Sequence, residues 1–420
     1  MRAALERAWR DGGALPVLLA PLAALYGAMS ERRAAGYRDG RLAVEPSALP
    51  VVVIGNLTVG GTGKTPLTAH LVEAFRARGW RPGIVSRGHG GERHEKATLV
   101  SATDPADRVG DEPLMLCRRT GAPVCVCVHR ARAVARLAAD TDCDLVLSDD
   151  GLQHGAMARD AEIVVVDAAY GFGNGRLLPA GPLRERPERL CRATLLAVRR
   201  ESTRPGGHRA EERTSRRTGE RTGGEAADGG AGGRREAGGA SVAGECDRTG
   251  GPGPLAGVPG AASLDGTPLP PAFDFATGEA SVRRWPDGPW ASLDAFAGRA
   301  AHAVAGIARP ERFFETLRGH GLSVTAHPFP DHHAFRNDDL RFGDALPILV
   351  TAKDAVKLDA LDEPLAGEIH EVAVELRTGP AFEALIDALS DALSDARPNG
   401  RPDRRPGRRL GRTPPPPSPA

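Results

Sequence analysis

One stretch restricts this chain more than any other. The apolar run Val51-Val52-Val53-Ile54 is followed within a few residues by a turn holding three glycines in four positions. A helix-compatible segment then runs from Pro66 to Arg78. A strand that feeds a helix through so tight a glycine-rich turn belongs in a parallel α/β sheet. The turn, Thr58-Val59-Gly60-Gly61-Thr62-Gly63-Lys64-Thr65, matches a phosphate-binding loop except that Thr58 stands at the first glycine position. The physics survives that change. Gly60, Gly61 and Gly63 let backbone N–H groups turn inward around phosphate oxygens, and the helix N-terminus adds positive potential. Lys64 reaches the β- and γ-phosphates, and Thr65 ligates Mg²⁺. Pro66 falls in the first helical turn, where its missing N–H is harmless.

The rest of the pattern agrees. Apolar runs at Ile84–Ser86, Val124–Val128, Leu145–Ser148 and Ile163–Val166 alternate with helical pieces at Glu112–Arg119 and Arg130–Ala139. This is a doubly wound domain over 41–200. A break follows. Residues 201–270 hold 18 glycines, no Phe, Trp or Tyr, and five residues in all from Val, Leu, Ile and Met. Such a segment buries too little apolar surface to offset its ordering entropy, so a disordered insertion is expected. A β-hairpin is expected over 271–288. A smaller α/β domain over 289–396 then has apolar runs at Ala303–Ile307, Leu322–Ala326, Ile348–Val350 and Val372–Leu376, with helices at Pro310–Gly319 and Ala381–Leu393. The tail 397–420, with seven arginines and a proline cluster, is expected to be disordered.

Charge and cysteine exclude whole classes. The 55 Lys+Arg balance 54 Asp+Glu, so there is no broad basic surface for nucleic acid. Six cysteines show no CxxC and no paired ligand spacing, which argues against a disulfide framework or a zinc site. Only four of the basic residues are lysine: Lys64, Lys96, Lys353 and Lys357. In a chain so biased toward arginine, each of them calls for a reason. Residues Ala14 to Met29 carry no charge and are flanked by Arg7, Arg10, Arg32 and Arg33. About 16 residues fall short of the roughly 20 that span a bilayer. Two readings stand: a helix packed on the main domain, or an interfacial anchor with its arginines on anionic headgroups.

A Mg²⁺ site needs a second anchor. The strand Leu145-Val146-Leu147-Ser148 ends in Asp149-Asp150, at the carboxyl edge of a parallel sheet, where ligands of such folds gather. Gly110-Asp111-Glu112-Pro113 opens another helix, where acids also serve as simple dipole-favoured caps. Phe329-Pro330-Asp331-His332-His333 reads equally well as a polar loop or as part of a site.

At this point the motifs together resemble a known family. Gly55-Asn56-Leu57-Thr58 through Pro66 is similar to the signature of the tetraacyldisaccharide 4′-kinases, the lipid A 4′-kinases of Gram-negative bacteria. In the family's order follow Ser86-Arg87-Gly88-His89-Gly90-Gly91, Gly110–Pro113, Asp149-Asp150-Gly151-Leu152-Gln153-His154 and Leu178-Pro179-Ala180-Gly181-Pro182-Leu183-Arg184-Glu185. The second half adds Ala305-Gly306-Ile307-Ala308-Arg309-Pro310-Glu311-Arg312-Phe313-Phe314, then Phe329–His332, then Thr351-Ala352-Lys353-Asp354-Ala355-Val356-Lys357. The resemblance spans nearly everything outside the 201–270 insertion and the tail.

It implies transfer of the ATP γ-phosphate to the 4′-hydroxyl of a tetraacylated glucosamine disaccharide 1-phosphate, forming lipid IVA, with ATP and Mg²⁺ as cofactors. It implies a P-loop domain and a smaller C-terminal α/β domain joined by a two-stranded linker, with the active site in the cleft between them. Asp111 and His332 match the family's base and its partner, while His333 does not. Lys64 is the catalytic lysine, and Thr65, Asp149, Asp150 and Glu112 are the candidate metal ligands. The implied location is the cytoplasmic face of the inner membrane, as a peripheral monomer whose 1–40 segment meets the lipid surface, with no nucleic-acid partner. Three departures stand out. His89 replaces the family's usual Tyr, Ala352 replaces the usual Glu beside Lys353, and the insertion replaces a short connection. The rival reading is a P-loop nucleotide switch or metal-insertion GTPase. It lacks support, because Val356-Lys357-Leu358-Asp359 has no Asn for a guanine-reading element and Asp149-Asp150-Gly151 is one residue short of Asp-x-x-Gly.

Overall fold

The computed structural model describes residues 8–9, 13–201, 263–264, 267–360 and 367–395. The expected tail, and most of the expected insertion, lie outside the described residues. In chain order the helices are α1 Ala14–Leu18, α2 Ala20–Arg38, α3 Lys64–Ala77, α4 Ala106–Val109, α5 Asp111–Thr120, α6 Arg130–Asp140, α7 Pro310–Gly319, α8 Ala352–Ala355 and α9 Ala381–Asp395. The strands are β1 Val51–Asn56, β2 Pro82–Ser86, β3 Thr98–Val100, β4 Val124–Val126, β5 Leu145–Asp149, β6 Ala161–Asp167, β7 Leu195–Arg199, β8 Ser263–Leu264, β9 Thr267–Pro268, β10 Ala272–Arg284, β11 Ala291–Ser292, β12 Ala300–Ala305, β13 Ser323–Pro328, β14 Ile348–Thr351 and β15 Ile369–Thr378.

Thirteen of these strands make one sheet in the order β13-β12-β14-β15-β10-β7-β6-β1-β5-β2-β4-β3, with β11 against β10. Every neighbouring pair on that path is parallel except β10/β15 and the edge pair β3/β4. The sheet therefore consists of two parallel fields, and the two-stranded antiparallel element β10/β15 joins them. β10 is a 13-residue strand whose first residues pair with β7, on the near side of the insertion, and whose remainder pairs with β15. The hairpin expected over 271–288 is thus mostly one long strand, and its return arm is the two-residue β11. The short β8/β9 ladder at 263–268 adds local order at the C-terminal end of the expected insertion.

Central strands buried on both faces read as continuous apolar runs, and all six residues of β1 are buried. Alternation then sorts them. Val52 and Ile54 pack with Leu67, Leu71 and Phe75 of α3 on one face; Val51 and Val53 pack with Val134 and Leu137 of α6 on the other. In the second field Ala301, Ala303 and Ala305 pack under Phe313, Phe314 and Leu317 of α7. Helix α9 was expected with the C-terminal domain. Its stripe Phe382, Ile386, Leu389 and Leu393 joins instead the core over β1 and α3. Phe382 meets Phe273 of β10 edge-on at 5.1 Å, and Arg78 pairs with Glu383 and Asp387, both at 2.7 Å.

The N-terminal segment packs with one side on the protein and leaves an apolar side exposed. One side packs on the P-loop field: the Tyr26 hydroxyl donates to the Arg184 carbonyl at 3.0 Å, and Trp9 Nε1 donates to the Pro179 carbonyl at 3.0 Å. The other side presents Leu15, Leu18, Leu22, Leu25 and Met29 at spacings of three and four, each between 41% and 73% exposed. No helix among the described residues is long and apolar enough to cross a membrane.

Candidate active site

The turn between β1 and α3 holds Gly60 at φ +109° and Gly63 at φ +92°, a region that side chains strain to enter. A Cβ on Gly63 would also lie 3.4 Å from both Arg199 Cδ and the Phe275 ring. Lys64 Nζ donates to Asn56 Oδ1 at 2.9 Å and stands 3.5 Å from Asp150 Oδ1. Asn56 is fully buried, and its amide donates to the Thr58 carbonyl at 2.7 Å. It therefore ties the first turn of the loop to the loop's own lysine. Sequence reasoning had given it no role, although it sits inside the signature.

β5 runs parallel to β1 with Asp149 opposite Ile54, which delivers the two aspartates beside the loop. They then diverge. Asp149 is buried and accepts from Thr65 Oγ1 at 3.2 Å and Thr68 Oγ1 at 2.9 Å. Burial, followed by repulsion from Glu112, pushes its carboxyl up to about 7. Asp150, at φ +49°, turns to Arg184, which donates to both carboxylate oxygens at 2.9 and 3.1 Å. Burial alone would raise Asp150, but Lys64 and Arg184 hold it down at about 2. Arg130 fixes the bend by donating to the Asp150 carbonyl at 2.8 Å.

A divalent cation fits this arrangement at one place. Among the described residues no group of three or more His, Cys, Asp or Glu side chains could hold a metal. Mg²⁺, however, takes only one or two protein carboxylates and completes its shell with phosphate and water oxygens. The Thr65 hydroxyl and the crowded, charge-averse Asp149 carboxyl form such a partial set. Asp150 and Glu112 are instead engaged by cations, Glu112 by Lys353 at 3.1 Å.

Asp111 and Glu112 open α5 behind Gly110, which has φ +93°. Asp111 is 3% exposed, and both its oxygens face His332 Nδ1, at 3.0 and 2.9 Å. The partners are 221 residues apart and come from opposite fields of the sheet. Burial favours the neutral acid, but the His332 hydrogen bond and the Lys353 charge outweigh it and lower the Asp111 pKa. The same hydrogen bond raises His332 above its ordinary value, against burial. Lys353 Nζ lies 3.1 Å from Glu112, 3.1 Å from Asp331 and 3.7 Å from Asp111. Burial would draw this lysine down, but the three acids hold it well above the usual lysine range. His89 meets the His332 ring edge-on at 4.8 Å. His333 faces away, toward Asp339 at 2.9 Å.

These groups converge on one cavity of about 600 Å³, lined by the whole loop from Val59 to Thr65 together with His89, Glu112, Asp150, His332 and Lys353. Asp111 and Asp149 are not part of the lining: Asp111 stands behind His332, and Asp149 behind Thr65. The lining also includes Arg199, Arg309 and Arg312. The last two pair with Asp167 at the end of β6, at 2.9 and 2.6 Å. None of these three arginines had been singled out from sequence. The cavity thus joins a phosphate cradle, a carboxyl poised for a cation and an Asp–His pair, the parts a phosphoryl transfer to a hydroxyl needs.

Comparisons with known proteins agree with that chemistry. The model of the family tetraacyldisaccharide-1-P 4′-kinase matches residues 15–240 and 278–391. A tetraacyldisaccharide 4′-kinase of Halorhodospira halophila is 41% identical over 380 residues, covering 90% of this chain and 94% of that protein. One from Azoarcus sp. strain BH72 is 41% identical over 374 residues, covering 87% and 92%. Among solved structures, the Aquifex aeolicus LpxK crystallised in complex with ATP has the same fold. Its TM-score is 0.63 at 21% identity, covering 89% of this chain and 99% of that one.

Proposed function

The chain belongs to the tetraacyldisaccharide 4′-kinase family, and on that premise we propose how its residues divide the chemistry. It is an ATP-dependent kinase of lipid A biosynthesis, transferring the γ-phosphate to the 4′-hydroxyl of a tetraacyldisaccharide 1-phosphate to form lipid IVA. The GTPase reading is not favoured. ATP lies with its phosphates in the loop Thr58, Val59, Gly60, Gly61, Thr62, Gly63, Lys64 and Thr65. Lys64 leaves Asn56 for the β- and γ-phosphate oxygens. Thr65 and Asp149 would hold Mg²⁺, with Asp150 and Glu112 as the neighbouring acids. When bound, Mg²⁺ draws negative charge off the phosphate oxygens.

A sugar hydroxyl is a poor nucleophile at neutral pH, so its proton must leave as the phosphoryl group arrives. The Asp111–His332 pair takes it. His332, which lines the cavity, receives the proton, and buried Asp111 orients the imidazole and stabilises the charge that forms. Lys353 keeps Asp111 ionised for that task. The single observation that carries this reading is the contact between His332 Nδ1 and both oxygens of Asp111, on the wall of the cavity that holds the loop. Residues 41–200 act as the nucleotide domain and 289–396 as the domain that brings His332, with β10/β15 between them. The exposed stripe from Leu15 to Met29 lies in the cytoplasmic leaflet of the inner membrane, with Arg32 and Arg33 among its headgroups. One chain carries every residue this scheme needs, and it works as a peripheral monomer.

The test is a lipid kinase assay with [γ-³²P]ATP, Mg²⁺ and the disaccharide 1-phosphate in detergent, with Lys64→Ala as the blank. Asp111→Ala and His332→Ala each lower kcat by about 10²–10⁴-fold, the range for losing general base catalysis, with the KM for ATP little changed. Turnover near the unmodified rate in either variant rules out the pair.

A further inference from the structure

Behind His332 lies a buried ion pair that lines no part of the cavity. Asp354, in the short helix α8, is fully buried, and the Lys357 side chain is 8% exposed. Lys357 Nζ stands 2.6 Å from Asp354 Oδ1 and 4.9 Å from the Phe335 ring centroid. One of the chain's four lysines is therefore spent where it meets no substrate. A buried pair contributes little to stability by its presence, yet breaking it by removing one member is severe. Such a pair calls for a reason other than stability.

The other oxygen of Asp354 supplies it. Oδ2 accepts the Gly306 N–H at 3.0 Å and the Thr351 hydroxyl at 2.7 Å. Gly306 follows β12 and leaves little room for a side chain. A Cβ there would lie 3.1 Å from Asp354 Oδ1, 3.3 Å from Lys357 Nζ and 3.3 Å from Phe335 Cζ. The carbonyl of Gly306 in turn accepts the His332 N–H at 3.3 Å, while the neighbouring Ala305 carbonyl accepts the Phe329 N–H at 2.9 Å. The loop 329–332 thus hangs from two carbonyls at the end of β12. His332 itself sits at φ +62°, a conformation that non-glycine residues keep only where their surroundings enforce it.

We propose that Asp354 and Lys357 are positioning residues for His332: the pair locks Gly306, and the Gly306 carbonyl holds the His332 backbone in the conformation that aims Nδ1 at Asp111. The proposal rests on the reading of His332 as proton acceptor. Without Lys357, the unpaired carboxylate of Asp354 turns away in search of another cation or solvent, and Gly306 N–H loses its acceptor. The loop then relaxes and His332 leaves Asp111. ATP, on the far side of His332, is unaffected.

The experiment is a double-mutant cycle on the full chain in detergent, reading kcat, the KM for ATP and the Kd for ATP. Lys357→Met lowers kcat about 10–100-fold, the scale of an ångström-sized misplacement, with ATP parameters moving less than about twofold. In a His332→Ala background the same substitution costs less than about twofold, since there is no imidazole left to aim. Adding Asp354→Asn to Lys357→Met removes the stranded charge while the amide oxygen still accepts from Gly306, and it restores most of the lost kcat. Equal losses in the two backgrounds, or no recovery with Asp354→Asn, overturn the proposal. If Lys357→Met alone fails to fold, the Lys357→Met/Asp354→Asn pair and Gly306→Ala carry the same cycle. The pair keeps kcat close to the unmodified value, and Gly306→Ala loses it only while His332 is present. A His332→Ala enzyme of normal kcat overturns the base assignment itself. A slow His332→Ala enzyme with multiplying losses overturns only the positioning.

Discussion

Lys353 offers the most demanding test, because one ammonium serves three carboxylates from two fields of the sheet. Replacing it with Met keeps the stem and removes the charge. Its distances are 3.1 Å to Glu112, 3.1 Å to Asp331 and 3.7 Å to Asp111. A single such pair is worth about 4 kcal/mol at an effective dielectric near 20, before the desolvation of the ammonium and the mutual repulsion of the acids are subtracted. The Lys353 side chain keeps 15% exposure, so the net cost should fall at the low end of the range for breaking a buried pair, about 3 kcal/mol. At about 2–4 °C per kcal/mol, melting should drop by about 6–12 °C at pH 7.5. The pH dependence is the sharper readout. In the unmodified protein the depressed Asp111 pKa contributes stability that is present above the unfolded value of about 3.9 and lost as pH falls. In the variant the Lys353 charge no longer helps to hold the Asp111 carboxyl down, so less of that stability is there to lose. The variant therefore loses less stability than the unmodified protein as pH falls from about 5 to about 3. The two melting curves must converge on acidification. Curves that stay parallel from about pH 7.5 to about pH 3 would refute this account of the lysine.

Two further outcomes follow from the same geometry. The Asp111 hydrogen bond raises the His332 pKa, so Asp111→Asn should move the acid limb of the kcat–pH profile to lower pH while lowering its plateau; a limb that stays in place removes Asp111 from contact with the titrating group. Leu18→Ser, Leu22→Ser and Leu25→Ser together alter only exposed positions, so melting should hardly change, whereas binding to anionic phospholipid vesicles in a flotation assay should weaken by at least about tenfold; unchanged flotation refutes a membrane role for the stripe.

The fold was legible wherever it is local. β1, the glycine turn and α3 follow from apolar residues, positive-φ glycines and a helix start within 27 residues of each other, and parallel topology alone puts the end of β5 beside them. It was less legible where the partner is distant. β10 reads as a hairpin because its polar and apolar residues alternate, yet its main partner is β15, nearly a hundred residues on. β3, three residues on an antiparallel edge, carries too little pattern to be seen at all. α9 has a clear apolar stripe, but the stripe does not say which of two sheet fields it covers.

The site divides along a different line, set by how rare each residue type is. With four lysines among 55 basic residues, Lys64, Lys353 and Lys357 each drew notice, and each lies in or directly behind the cavity. The remaining 51 basic residues (55 less 4) are arginines, so Arg130 and Arg199 drew no notice among them, and Arg184, Arg309 and Arg312 stood in the family motifs with no role assigned. Yet Arg184 joins Lys64 in holding Asp150 ionised, and Arg130 holds the bend that parts it from Asp149. The same limit applies to two adjacent histidines of one type. What separates His332 from His333 is backbone, φ +62° at the first and the carbonyl of Gly306 that holds it there. Gly306 in turn donates its N–H to Asp354, 48 positions further along the chain, and Asp354 pairs with Lys357, contacts that no local spacing encodes. Composition can mark the atoms that carry charge, but the direction in which they point is fixed by hydrogen bonds from elsewhere in the fold.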